Sequence, residues 1–166
     1  MKILVAGEGG QGVQVVAEIL AKAAFLEGIS SLYIPNFGVE QRGGVSLGFV
    51  VIDKEEVTYP KFEKADILAI FCDRAIERVK NYIGPKTNVI LSPAVTNQEI
   101  AGIRLKSNLE PKTWNIIILG KILSLGDLVS EEAVKKTMEE RFARWFEKNP
   151  ALRDLDFQAL EEGLKQ

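Results

Sequence analysis

The sequence predicts an α/β fold of the doubly wound, Rossmann-like kind, with a mainly parallel or mixed sheet, flanking helices and a single domain over residues 1–166. Three observations carry this. Short apolar runs alternate with segments of helical period. The first run empties into a glycine-rich turn that opens a helix. The chain is 46% hydrophobic, enough to build a core, and of ordinary single-domain length.

The elements follow in order. Lys2–Ala6 is a short apolar run before Gly7, as expected of a buried strand. Val13, Val16, Ala17, Leu20 and Ala24 then recur at helical spacing, and Gly28 stands where that helix stops. Ser31–Ile34 reads as a second strand closed by Pro35-Asn36, completing a βαβ unit. Val45–Ile52 is a long strand. The charged turn Asp53-Lys54-Glu55-Glu56 leads into Val57-Thr58-Tyr59, which suggests a hairpin and so a mixed sheet. Ile67–Phe71 and Asn88–Leu91 are further buried strands, with a helix over Arg74–Tyr82 between them. Thr96–Ala101 reads as a helical turn and Ile103–Leu105 as an edge strand. Trp114–Leu125 is apolar nearly all round, as in a buried helix. Ser130 is a candidate N-cap, with Glu131 and Glu132 in the first turn beyond it. Asp156–Lys165 reads as a short terminal helix.

Composition narrows the chemistry. There is no histidine, which removes the commonest general base and transition-metal ligand, so no Ser-His-Asp or Cys-His arrangement can come from this chain alone. The single cysteine, Cys72, precludes an intrachain disulfide and a cluster held by several of this chain's own thiolates. A net charge of −2 gives no overall positive field for nucleic acid. The apolar start is too short for a signal peptide and no stretch is long enough for a bilayer, so a cytoplasmic protein without membrane association is expected.

Two motifs are candidate sites. Gly7, Gly9 and Gly12, with Gly10 and Gln11 between them, match the G-x-G-x-x-G pattern between a strand and a helix. There the uncapped N–H groups and dipole of a helix start face an anion. The plainer reading is that these glycines only make a tight strand-to-helix connection. A nicotinamide or flavin dinucleotide also wants an acid after the second strand, where this chain has Tyr33-Ile34-Pro35-Asn36, and Glu8 would repel a pyrophosphate. The second motif is Gly38, Glu40, Gln41, Arg42, Gly43 and Gly44. Arg42 offers a planar fork for a carboxylate or phosphate, between glycines that allow close approach. A solvated loop with a local Glu–Arg pair is the alternative.

Together, Gly7-x-Gly9-Gly10-Gln11-Gly12-Val13 and Gly38-x-Glu40-Gln41-Arg42-Gly43-Gly44 resemble the gamma subunit, or gamma domain, of 2-oxoacid:ferredoxin oxidoreductases of the pyruvate and ketoisovalerate type. The beta subunit of indolepyruvate oxidoreductase is similar. The resemblance extends over Ala65–Leu68, over Asn115 with Leu119-Gly120, and over Ser130-Glu131-Glu132 with Phe142 and Asn149, so it covers most of the chain. It implies a part in oxidative decarboxylation of a 2-oxoacid, with coenzyme A taking the acyl group and ferredoxin the electrons. It also implies alpha-, beta- and delta-type partner subunits that hold thiamine diphosphate, Mg2+ and iron–sulfur clusters, with no cofactor bound by this chain alone. No residue is expected to be catalytic or to bind metal. Both loops are expected to face the other subunits and to shape the route of coenzyme A or substrate. The alternatives are a stand-alone nucleotide-binding Rossmann-like oxidoreductase and a ligand-free scaffold module.

Four other features carry weaker expectations. Cys72 reads as an inert core thiol and the two tryptophans as core or interface anchors. Asp73 and Arg74 either line the crevice or, for Asp73, cap a helix. Lys135, Lys136, Arg141 and Arg144 read as a solvated helix face.

Overall fold

The computed structural model describes residues 1–37, 44–127 and 129–166, with the backbone alone at Phe37. Its centre is a six-stranded sheet of β1 (Lys2–Glu8), β2 (Ser30–Phe37), β3 (Val45–Asp53), β4 (Ile67–Ile70), β5 (Asn88–Leu91) and β6 (Ile103–Arg104), in the order β2-β3-β1-β4-β5-β6. β1, β4, β5 and β6 are mutually parallel, whereas β3 runs antiparallel to both β1 and β2. The sheet is therefore mixed. The predicted βαβ unit of β1, α1 (Val13–Leu26) and β2 forms, but β3 lies between its two strands.

The period-2 alternation of the strands divides the interior. Ile3 and Val5 of β1, Val50 and Ile52 of β3 and Ile67 and Ala69 of β4 face a core shared with α1, α3 (Trp114–Ser124), α4 (Glu131–Lys148) and α5 (Pro150–Lys165). Leu4, Ala6, Leu47, Phe49, Leu68 and Ile70 face the other side, where α2 (Asp73–Val79) packs. There Phe49, Phe62 and Tyr82 meet edge to face, with centroids 5.5 to 6.2 Å apart.

Several expectations are corrected. Val57-Thr58-Tyr59 belong to no strand, and the hairpin partner of β3 is β2. β3 already has β1 on one edge and β2 on the other, so a returning segment finds no free edge. Instead the Val57 N–H donates to Ser30 Oγ at 2.9 Å. Thr96–Ala101 is not helical. Asp73 accepts hydrogen bonds from the backbone N–H of Thr96 and Asn97, while the Arg104 guanidinium donates to the carbonyls of Val95, Asn97 and Ile100. Two charged side chains thus satisfy backbone groups that a helical turn would have paired internally. The helix predicted over Arg74–Tyr82 is α2 followed by a 3-10 turn over Lys80–Tyr82.

The terminal helix begins at Pro150, six residues before its predicted start. Proline at the first helical position carries a ready φ and lacks only an N–H that would be unpaired there. Ser130 caps α4 as expected, its Oγ accepting from the Ala133 N–H at 3.1 Å. α3 and α5 approach closely, because each places a glycine against the other's backbone, Gly120 under Leu160 and Gly163 over Ile117.

Candidate functional site

Strand order reverses around β1: the chain leaves it through α1 to β2 on one side, and β4 then lies on the other. In open α/β sheets this arrangement leaves a crevice outside the carboxyl ends of the strands. Here a cleft of about 380 Å³ lies there, lined by Gly10 and Gln11 after β1, Phe71 after β4, Ser92 and Ala94 after β5, and Pro111, Lys112, Trp114 and Asn115 at the start of α3.

The glycine turn is built by its own hydrogen bonds. The Gln11 side-chain oxygen accepts from the Glu8 N–H at 2.8 Å, and the Gln11 N–H donates to the Glu8 carbonyl at 3.1 Å. Gly10 and Gly12 have φ of +97° and +83°, a backbone region that side-chain-bearing residues rarely adopt. Gly12 also stands where a Cβ would lie 2.5 Å from Asn115 Nδ2. Glycine at this position is therefore required both by the backbone turn and by the approach of α3.

Two helix starts open near the cleft. α1 begins after Gly12 and α3 after Thr113; neither has a side-chain cap or an acid in its first turn. The dipole end of α1 is thus left for solvent or for an anion, whereas α3 continues a 3-10 turn over Pro111–Thr113 whose Lys112 pairs with Glu110 at 2.7 Å. Glu8, which would oppose this, is paired with Arg74 at 3.4 Å, so part of its charge is offset. Asn115 supplies a further polar feature: its Oδ1 is buried and has no hydrogen-bond partner, alone in this respect among side-chain atoms of the described residues. A buried amide oxygen without a donor costs about 1–3 kcal/mol.

Of the predicted site residues, Gly10 and Gln11 line the cleft, and Gly12 stands behind it against Asn115. Gly7 is the penultimate residue of β1, opposite Ser46. The Gly9 N–H donates to the Gly44 carbonyl at 3.2 Å, so the two motifs meet at their described ends. Gly38, Glu40, Gln41, Arg42 and Gly43 lie outside the described residues. Sequence reasoning did not place Phe71, Ser92, Lys112, Trp114 or Asn115 in the cleft. For Asn115 a signal existed: it is an amide at the start of an otherwise apolar helix.

The neighbouring residues are structural. Cys72 is half-buried, and burial holds its thiol above its ordinary pKa, as expected of an unreactive cysteine. Asp73 does not cap its helix. The hydroxyl of Thr96, then the Asn97 N–H, hold its carboxyl below the usual range while it anchors the loop after β5. Ser92 Oγ donates to the Phe71 carbonyl at 2.6 Å, tying β5 to β4 at the cleft floor. Trp114 is partly buried and donates to the Leu109 carbonyl, whereas Trp145 is exposed and not a core anchor. On α4, Arg141 and Lys135 form ion pairs with Glu18 and Glu131.

The model of the pyruvate ferredoxin/flavodoxin oxidoreductase family matches residues 2–166. The chain is 34% identical over 149 residues to the pyruvate synthase subunit PorC of Methanothermobacter marburgensis, covering 82% of this chain and 83% of that one. It is 30% identical over 151 residues to the 2-oxoglutarate synthase subunit KorC of Methanocaldococcus jannaschii, covering 82% and 81%. Among solved structures, the gamma subunit of a keto/oxoacid ferredoxin oxidoreductase from Geobacter sulfurreducens superposes with a TM-score of 0.76 at 22% identity, over 99% of this chain and 96% of that one. A 2-oxoglutarate:ferredoxin oxidoreductase from Magnetococcus marinus gives 0.80 at 20% identity, over 99% of this chain and 30% of that one. These define an oxidoreductase-subunit fold of the gamma type. The chain belongs to the pyruvate ferredoxin/flavodoxin oxidoreductase family. Among the described residues, no helix is long and apolar enough to cross a membrane.

Proposed function

We propose that this chain works as the gamma-type subunit of a 2-oxoacid:ferredoxin oxidoreductase of the cytoplasm, and that its cleft receives part of coenzyme A. The observation that carries the reading is the unpartnered Asn115 Oδ1 beside the uncapped start of α1 and near Lys112, at the reversal point of the sheet. The chemistry of that set suits a ligand with both anionic groups and amide N–H donors. Helix starts and an ammonium favour phosphate oxygens, and a buried carbonyl oxygen favours an N–H. Coenzyme A carries both. The Magnetococcus marinus enzyme was solved with 2-oxoglutarate, coenzyme A and succinyl-CoA bound.

In this division of labour the alpha-, beta- and delta-type subunits hold thiamine diphosphate with Mg2+ and the iron–sulfur clusters. When bound there, those groups supply carbanion stabilisation and electron transfer toward ferredoxin. The present chain, with no histidine and one cysteine, binds and orients. Gln11 holds the glycine turn in shape, Asn115 accepts a ligand N–H, and Lys112 attracts its charge. Gly38, Glu40, Gln41, Arg42 and Gly43 are assigned a part in subunit assembly on the strength of the family resemblance of their motif. Substrates of the pyruvate, 2-oxoglutarate or ketoisovalerate class are those that relatives of this chain are named for.

The test is steady-state kinetics of the assembled complex with Asn115→Leu or Lys112→Ala in this subunit. The KM for coenzyme A is expected to rise by roughly tenfold, the loss of one hydrogen bond or charge contact, with the KM for the 2-oxoacid unchanged. An unaltered coenzyme A KM in both variants refutes the assignment. For the second loop, Arg42→Ala is expected to weaken assembly or turnover; wild-type behaviour in both removes it from the proposal.

A further inference from the structure

A second cavity, of about 190 Å³, lies between α4 and α5. Its walls are Phe142, Trp145, Phe146 and Leu152, and one carboxylate, Asp156, stands among them. Three aromatic rings around a single acid form an unusual surface. Trp145 is 66% exposed, a large apolar area left in water. Asp156 is half-buried among apolar neighbours, and no hydrogen bond from a described residue reaches it. The charged group that acts on it from outside is Lys112, whose ammonium is already paired with Glu110 at 2.7 Å.

We propose that this cavity is a docking pocket for an arginine side chain presented by a partner polypeptide. The argument is charge and shape complementarity. A guanidinium is flat and weakly hydrated, stacks on aromatic faces, and pairs with a carboxylate through two parallel N–H donors. The pocket offers a ring to stack on, apolar walls for the side chain's methylenes, and one carboxylate at hand. A neutral apolar side chain would bury Asp156 further without a partner, which costs energy. An acidic side chain would meet like charge. Lysine would satisfy the charge but has no planar face for the indole. The same surface already shows the preference within the chain: the Arg153 guanidinium stacks over the Phe157 ring at 4.5 Å while its nitrogens bind Glu139, an arginine between an aromatic and a carboxylate. The inference stands independently of what occupies the cleft.

The two tryptophans make the test direct, since each gives its own indole N–H signal in a 1H–15N spectrum, one at this pocket and one in the cleft. The full chain is titrated with Nα-acetyl-arginine amide and, separately, with the neutral isostere Nα-acetyl-citrulline amide. The Trp145 signal is expected to move saturably with arginine, with at least about tenfold weaker binding of citrulline, and the Trp114 signal to stay in place. Asp156→Asn should abolish the preference, and Trp145→Ala should abolish arginine binding, judged by the amide spectrum. Each variant's remaining amide pattern reports whether it is folded. Equal binding of citrulline, a preference that survives Asp156→Asn, a response at Trp114 alone, or no saturable shift at tens of millimolar would each overturn the proposal.

Discussion

Replacing Gly12 by alanine isolates the contact on which the cleft depends. The added methyl group meets two penalties. The first is backbone strain: Gly12 has φ of +83°, and an L-residue there costs about 1–2 kcal/mol, less several tenths recovered because alanine restricts the unfolded chain. The second is steric. The new Cβ would lie 2.5 Å from Asn115 Nδ2 and 3.0 Å from its Cβ, roughly an ångström inside ordinary contact. Moving Asn115 or α3 adds about 1–2 kcal/mol, within the usual range for overpacking. The expected total is about 2–3 kcal/mol. Gly10→Ala is the control, because Gly10 also has positive φ, +97°, but nothing lies within 4 Å of its added Cβ. It should cost about 1 kcal/mol, the strain alone. Urea unfolding of the isolated chain gives both values. In the double variant Gly12→Ala/Asn115→Ala the part of the clash made by the Asn115 amide should return while the contact with its Cβ stays, a coupling of about 0.5–1 kcal/mol. If Gly12→Ala costs no more than Gly10→Ala, or the double variant is merely additive, the reasoning that α3 is pressed onto the turn is wrong.

Other outcomes follow from the same geometry. Asn115→Ala alone should leave stability within about 0.5 kcal/mol of wild type or raise it, since its Oδ1 has no partner to lose; a large destabilisation in urea would contradict this. Gly163→Ala should cost about 3 kcal/mol or prevent α5 from docking, because its Cβ would run into the Ile117 carbonyl oxygen, as loss of α5 amide protection in hydrogen exchange would show. Ser130→Ala should cost about 1 kcal/mol in the same unfolding assay through loss of the α4 cap. Asp156 is pushed up to about 6 in the fold, above its unfolded value, so the native state holds its proton more tightly. The contribution of Asp156 to stability should therefore rise as pH falls from 7 through 6 toward 4. Asp156→Asn should be stabilising at pH 7, by on the order of 1 kcal/mol after solvent screening, and lose that advantage near pH 4. Parallel unfolding curves for the two proteins at both pH values would speak against it.

What the sequence determined by itself is the local code. Apolar runs at Lys2–Ala6, Ile67–Phe71 and Asn88–Leu91 mark strands because burial on both faces leaves few other uses for such runs. Glycines at 7, 9 and 12 mark the strand-to-helix turn, and Ser130 marks a helix start through one side-chain acceptor. These signals act over a few residues, and the paired glycine motifs made the family legible as well. The tertiary structure alone decided what sequence separation conceals. Which edge of β3 is free depends on β1 and β2 together, so the hairpin at Val57–Tyr59 could not be refused from its own residues. The bend at Thr96–Ala101 rests on Asp73, more than twenty positions earlier. The cleft joins the first turn of the chain to residue 115. An amide whose oxygen lacks a donor is visible only once everything around it has been placed, because a missing hydrogen bond is a property of surroundings and not of the residue.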